Sequence, residues 1–303
     1  MVLLAWSWVI IFVLFAHRNQ DQHLSEATKS IVLSVAQPDH KFVTLLYFNY
    51  AYLIMTKSFL CNLNLVAHSP FPSRLVLVAA DEQAAYHLKE FLLVEQLHHL
   101  QRNLSPFVVL LRSAETQSVD FGTQRYYDLT LERLRIQNEL LQVGLNVFII
   151  ESDAVWFSAD IRDILNEAFS GAVDILSAND SGGSATKLIS AGFLAAKSNQ
   201  KVKKLFDTYT LRYRKLLKRK QLIGEQILMT HLLQEFPNVN VKWLDECEYA
   251  SGRWYSETEY RKRCATPAVL QNNWIIGVDK KMERAKSWKH WFLQSEGTCF
   301  LRV

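Results

Sequence analysis

Short, unbroken apolar runs alternating with longer segments of helical periodicity constrain this chain more than any other feature. The runs Phe42–Phe48, Arg74–Ala80, Phe107–Leu111 and Asn146–Ile150 are each a handful of residues long and rich in Val, Leu, Ile and Phe. Runs of that length without apolar–polar alternation read as strands covered on both faces. Between them, residues 51–65, 82–100 and 126–143 carry helical spacing; in the last, Leu129, Leu131, Leu134, Ile136, Leu140 and Leu141 form a stripe that Gly144 closes. The alternation predicts an α/β fold, a mostly parallel sheet with helices on both faces. The second half is less regular. Residues 173–176 and 191–196 read as strands, the Gly-rich stretch Asp180–Ser184 as a loop, and residues 201–218 and 225–235 as helices.

In such sheets ligands bind beyond the carboxyl ends of the strands. Three acids fall there: Asp81 after the second run, and Glu151 and Asp153 after the fourth. Two positions apart on an extended segment, Glu151 and Asp153 face the same side, where they can present oxygen to a hard cation such as Mn²⁺ or Mg²⁺. A cation there would bridge a diphosphate and stabilise a departing nucleotide. The plain alternative is a solvated acidic turn or a helix cap.

With 303 residues, 49% of them hydrophobic, the chain is long enough for one large core. The expected organisation is a signal peptide or signal-anchor over 1–18, a stem over 19–41 and a single domain over 42–303. The apolar run Val2–Ala16 supports the first segment, although it is short for a span of about 20 residues. A buried N-terminal helix is its alternative. Two sequons, at Asn103 and Asn179, agree with passage through the secretory route. Cys61, Cys247, Cys264 and Cys299 lack metal-ligand spacing and suit disulfides; three pairings are open, of which Cys247 with Cys264 would close a short loop. A net charge of +4 with no basic arm gives no reason to expect nucleic acid as a partner.

The stretch Gly144–Phe157, a strand followed by acid, x, Asp, x, Val, Trp, resembles the nucleotide-diphospho-sugar transferase family related to plant cell-wall arabinosyl and xylosyl transferases, its nematode-type members most of all. Three further blocks carry the resemblance: Leu45–Leu63 around Asn49 and Cys61, Ser190–Leu194, and Gln271–Lys281. It implies a GT-A-like Rossmann-type fold, a divalent metal (Mn²⁺ or Mg²⁺), and transfer from a UDP-sugar with retention of configuration. With the N-terminal run and the sequons, the expected acceptor is a glycan or glycoprotein in the Golgi or endoplasmic reticulum lumen, with the chain held to the membrane by its N-terminal segment or secreted. By position, Asp153 matches the family's second metal aspartate and Glu151 replaces the first, while Gln271 stands where the family usually has His. Gln offers a neutral carbonyl oxygen, a weaker ligand than imidazole for Mn²⁺.

Outside the blocks, Glu225 and Gln226 resemble the family's Asp-Gln pair beside the sugar; the residues expected on the donor side are Asn49, Asp81 by its place at the strand edge, Ser152, Gly192, Asn272, Asn273, Gly277 and Lys280, with Lys281 a second lysine for the diphosphate. Each has a plain reading too: a strand kink at Gly192, a dipole-complementing carboxylate at Glu225, turn amides at Asn272 and Asn273, solvated lysines. The basic run Arg212–Lys220 reads as a solvated helix face, and Trp254, Tyr255, Tyr260, Trp288 and Trp291 as core aromatics or an acceptor platform. His98 and His99 have no Ser or Cys elbow to serve. The rival from another class is a lumenal sugar-nucleotide or glycan-binding protein whose metal site has eroded. A hydrolase with paired carboxylates needs acids roughly 5–10 Å apart on either side of a sugar bond, for which neighbouring strand positions are poorly placed.

Overall fold

The computed structural model describes residues 13–16, 24, 29, 32–33, 42–66, 75–95, 107–111, 119, 121–158, 165–166 and 171–300. His98, His99 and the sequon at Asn103 lie outside these, as does most of the apolar run Val2–Ala16.

The apolar runs form strands close to where the pattern puts them. In chain order they are β1 (Val13–Ala16), β2 (Phe42–Phe48), β3 (Leu75–Ala79), β4 (Phe107–Leu111), β5 (Asn146–Ile150), β6 (Ala154–Trp156), β7 (Ile175–Asn179), β8 (Ile189–Ala196), β9 (Val241–Trp243), β10 (Tyr249–Ala250) and β11 (Val269–Gln271). The helices are α1 (Leu53–Leu65), α2 (Glu82–Val94), α3 (Gln124–Gln142), α4 (Gln200–Lys218), α5 (Glu225–Glu235), α6 (Arg253–Ser256), α7 (Thr258–Arg263) and α8 (Val278–Ser287).

The main sheet runs β1-β4-β3-β2-β5-β8-β7-β9. β1 to β5 pair in parallel, and β8 lies antiparallel between β5 and β7. Alternate residues of the central strands face opposite ways, as the pleat requires. Leu46, Phe48, Leu77, Phe148 and Ile150 pack with Phe59 and Leu88 of α1 and α2. Val43, Leu45, Val76, Val147 and Ile149 pack on the other face with Leu134 of α3, Leu205 of α4 and Leu232 of α5. Both faces are therefore covered, and this is why the strands carry continuous apolar runs. The chain builds outward from β2 through β3 to β4, then returns to place β5 on β2's other side. The crevice beyond the carboxyl ends of β2 and β5 is thus the topological switch point.

Two strand pairings were not legible in the pattern. Val13–Ala16 pairs with β4 at the sheet edge as a strand. No helix among the described residues is long and apolar enough to cross a membrane. A second, three-stranded sheet, β10-β11-β6, forms from segments too short to show periodicity. The basic run lies on α4 as expected: Tyr209, Tyr213 and Leu217 are buried while Arg212 pairs with Glu235 at the surface.

All four cysteines are used, in the bridges Cys61–Cys299 and Cys247–Cys264. The first joins α1 to the C-terminal segment across 238 residues of sequence. A loop that long gives a cross-link a large effect on the unfolded chain. The double substitution Cys61→Ser/Cys299→Ser is predicted to lower stability by about 2–5 kcal/mol, read as a lower guanidinium midpoint. An unchanged midpoint would show that the bridge constrains nothing.

Candidate functional site

Glu151 and Asp153 follow β5 at the switch point, in a turn between β5 and β6. The C-terminal block reaches them through sheet pairing: β11 lies antiparallel to β6 with Gln271 opposite Ala154, and the Asn272 N–H continues the ladder by donating to the Asp153 carbonyl at 3.0 Å. The E-x-D turn and the block beginning at Gln271 are thereby one structure. β8 supplies a third side: its register with β5 pairs Phe193 with Ile150, and Gly192 comes next, against Glu151. A Cβ on Gly192 would come within 2.3 Å of the Glu151 carboxylate, so any side chain here would have to push Glu151 out of its present position.

The acids are already engaged by cations of the chain. Asp153 is 5% exposed, and its Oδ2 accepts from Lys281 Nζ at 2.5 Å. Lys281 lies over the Tyr52 ring, 5.9 Å from its centroid, so the turn after β2 closes on the pair. Burial pulls the Lys281 ammonium toward neutrality, but Asp153, Tyr52 and Glu151 together hold its pKa above the usual lysine value. Glu151 accepts from Arg133 Nη1 at 2.9 Å, and Arg133 Nη2 donates to Glu225 Oε1 at 3.2 Å. Burial also opposes the charged guanidinium, and the two carboxylates more than offset it. Glu151 keeps 37% of its side chain exposed, yet desolvation and the Asp153 charge push its carboxyl up against the pull of Arg133 and Lys281.

A second acid group gathers at Asp180, just past the end of β7 on the same edge. Asp180 accepts from Trp274 Nε1 at 2.7 Å, Asn273 Nδ2 at 3.1 Å and Gln226 Nε2 at 3.0 Å. Burial raises its pKa in spite of these three donors. Trp274 has φ +59 and stays 53% exposed, a left-handed conformation that an aromatic residue adopts only where its surroundings hold it.

The sequence-derived candidates divide accordingly. Glu151, Asp153, Gly192, Gln271, Asn272, Asn273, Glu225 and Gln226 converge on one place. Ser152 is buried in the same turn. Asn272 and Asn273 act as braces: Asn272 donates to the Lys281 carbonyl and accepts from Arg284 Nε, and Asn273 accepts from the Gly252 N–H. Glu225 holds Arg133, and also accepts from the Tyr126 hydroxyl at 3.4 Å. Asp81 caps α2, both oxygens accepting backbone N–H groups, from Ala84 and Tyr50, while Asn49 caps the turn at Tyr50–Tyr52. Gly277, at φ +98, starts α8. Lys280 is exposed, and it is Lys281 that enters the site. Asn179, in the second sequon, accepts from the Ser181 and Leu188 N–H groups beside Asp180, so it belongs to the site's frame. Trp254, Tyr255 and Trp288 pack against one another, with Arg261 stacked on both tryptophans; they serve the fold.

Arg133, Lys281 and Asp180 are the residues that sequence reasoning underused. Arg133 interrupts the buried stripe Tyr127, Thr130, Leu134, Gln137, Leu140 of α3, and a charge on a core-facing stripe calls for a partner. Asp180 follows a strand on the same edge as Asp81 and Glu151.

Do these residues fit a divalent cation? One observation favours it: Asp153 Oδ1 is buried and has no hydrogen-bond partner. The remaining donors do not. The other Asp153 oxygen is on an ammonium, Glu151 is on a guanidinium, and Gln271 Oε1 is neutral and accepts from Ser190 Oγ and Asn273 Nδ2. Among the described residues no three His, Cys, Asp or Glu side chains group as a metal site. At about 4 Å a dication and an ammonium repel by roughly 8 kcal/mol at an effective dielectric of 20. In this arrangement the expected set Glu151, Asp153 and Gln271 does not fit a hard cation.

Removing the arginine should expose how much rests on it. Arg133→Met leaves the buried Glu225, only 5% exposed, without its cation, and the predicted loss is about 3 kcal/mol of unfolding free energy, measured by denaturant titration. A loss below about 1 kcal/mol, the range of a surface pair, would contradict the assignment.

Comparison with known proteins agrees with this architecture. The solved apo structure of the bifunctional glycosyltransferase WbbM superposes with a TM-score of 0.51 at 13% identity, over 81% of this chain and 50% of that one. This chain thus spans half the length of that protein. An active-site mutant of LgtC superposes with a TM-score of 0.50 at 14% identity, over 81% of this chain and 96% of that one. Both likenesses speak for the fold. A search of curated proteins found no match. The model of the nucleotide-diphospho-sugar transferase family matches residues 71–285, well over half of the sequence, and the chain therefore belongs to that family of glycosyltransferases.

Proposed function

We propose that the chain transfers a sugar from a UDP-sugar, with retention of configuration, to a glycan or glycoprotein acceptor in a lumenal compartment. The observation that carries this reading is Asp153: a buried acid at the switch point, tied to Lys281 through one oxygen and with the other turned to no partner. A nucleotide diphosphate lying beyond β2 and β5 would meet this pair first. The uridine and the retention come from the resemblance of the E-x-D and Gln271 blocks. The lumenal setting draws on the two disulfides, which form and persist in oxidising compartments. Metal assistance through Glu151, Asp153 and Gln271 is left out of the mechanism, because the donor set does not fit it.

The sugar would lie toward Asp180 and Gln226, whose side chains are joined at 3.0 Å. Glu225 is engaged there through Oε1, which Arg133 and the Tyr126 hydroxyl share. Its role is to fix Arg133, and through it Glu151. The exposed Trp274, bonded to Asp180, borders this side of the site and suits the apolar face of an acceptor sugar.

The test is nucleotide release from a panel of UDP-sugars by the full chain, with MnCl₂ present and absent, beside Asp153→Asn. The wild type is expected to release UDP from at least one donor, and the variant to lose about a hundredfold or more of that rate while melting as a folded protein. Turnover untouched by the substitution would remove Asp153 from the site. No release from any donor, with or without an acceptor mixture, would sink the reading.

A further inference from the structure

The Lys281–Asp153 pair points further. We propose that Lys281 and Arg284 take the place of a divalent cation, so that the donor's diphosphate is held by two positive charges of the chain and binding needs no metal. This deepens the nucleotide-sugar reading of the same site and rests on it.

Both residues lie on α8, three positions apart and so on one helix face. Lys281 is placed and desolvated in advance: its side chain is 14% exposed, Asp153 fixes the ammonium, and Asn272 fixes the backbone by donating to the Lys281 carbonyl at 2.8 Å. An ammonium has three donors, and Asp153 takes one, which leaves protons for phosphate oxygens. Arg284 spends its hydrogen bonds on neutral oxygens, Asn272 Oδ1 at 2.6 Å and the Asn273 carbonyl at 2.5 Å, and stacks over the Tyr255 ring, 4.6 Å from its centroid. Among the described residues no carboxylate forms an ion pair with it, so its charge is available to an anion. The acids, by contrast, are committed. Asp153 is paired to Lys281, Glu151 is held by Arg133, and the position opposite Ala154 is the neutral Gln271, whose Oε1 already accepts twice. A phosphate group thus meets two cations where a metal ion would meet few uncommitted acids.

Two titrations on the full chain decide it. In the first, UDP is titrated by calorimetry in EDTA and in MnCl₂. The dissociation constants should agree within about threefold, and Lys281→Met and Arg284→Met should each weaken binding in EDTA by about tenfold or more. In the second, Mn²⁺ alone is titrated and followed by its paramagnetic resonance; the wild type should show no site. The inference is overturned if EDTA weakens wild-type UDP binding by about tenfold or more, or if the wild type binds Mn²⁺ at a site that Asp153→Asn abolishes. Because both wild-type arms need no substitution, a misfolded variant does not rescue the idea. UDP that binds in neither buffer would instead bring down the nucleotide reading, and this inference with it.

Discussion

The antiparallel pairing of Ala154–Trp156 with Val269–Gln271 is the constraint on which the site depends. It extends by one hydrogen bond, Asn272 N–H to the Asp153 carbonyl, and so fixes where α8 can begin. From there Lys281, 128 residues away in sequence, reaches back to Asp153. The asparagines and Arg284 are the stitching of the same seam. Gly252 belongs to it too, because any Cβ there would collide with the Asn273 carbonyl. Chemistry at the end of a parallel sheet is usually carried by loops; here the second sheet turns two of those loops into one rigid frame.

The frame is charged, and the charges are matched inside it. Arg133 joins Glu151 to Glu225, and Lys281 holds Asp153, all with low exposure except the outer part of Glu151. Buried ions are stable only when paired and well bonded, so removing one partner from these pairs costs more than breaking a surface pair would. A consequence for function is that the acids of the E-x-D turn act first as counter-ions. This changes what the turn means: the carboxylates position cations, and under the proposal above it is the cations that would meet the diphosphate.

Much of the fold was legible because it rests on patterns the eye can follow in one dimension. The strands Phe42–Phe48 and Asn146–Ile150 are buried on both faces, so nothing polar interrupts them, and the stripe on α3 marks a helix packed along its length. The cluster at Glu151 and Asp153 was legible for the related reason that strand ends mark the binding edge. What was not legible depends on contacts distant in sequence. β6, β10 and β11 are three, two and three residues long, too short for any period. Lys280 and Lys281 look alike in sequence, and only the phase of α8 decides that the second enters the site. Arg133 was visible as a charge on an apolar stripe, yet its partners, Glu151 and Glu225, come from the ends of two other elements. Cys61–Cys299 likewise reflects how the C-terminal segment crosses α1, and no spacing rule announces that.

The central claim is that one nucleotide diphosphate is held jointly by the E-x-D turn and the block that starts at Gln271. Hydrogen–deuterium exchange with and without saturating UDP tests it most directly. The account predicts slowed exchange in 150–156, 189–193 and 271–281 together, with no change along α4. Protection confined to one of these segments, or appearing on the basic face of α4 instead, would contradict it.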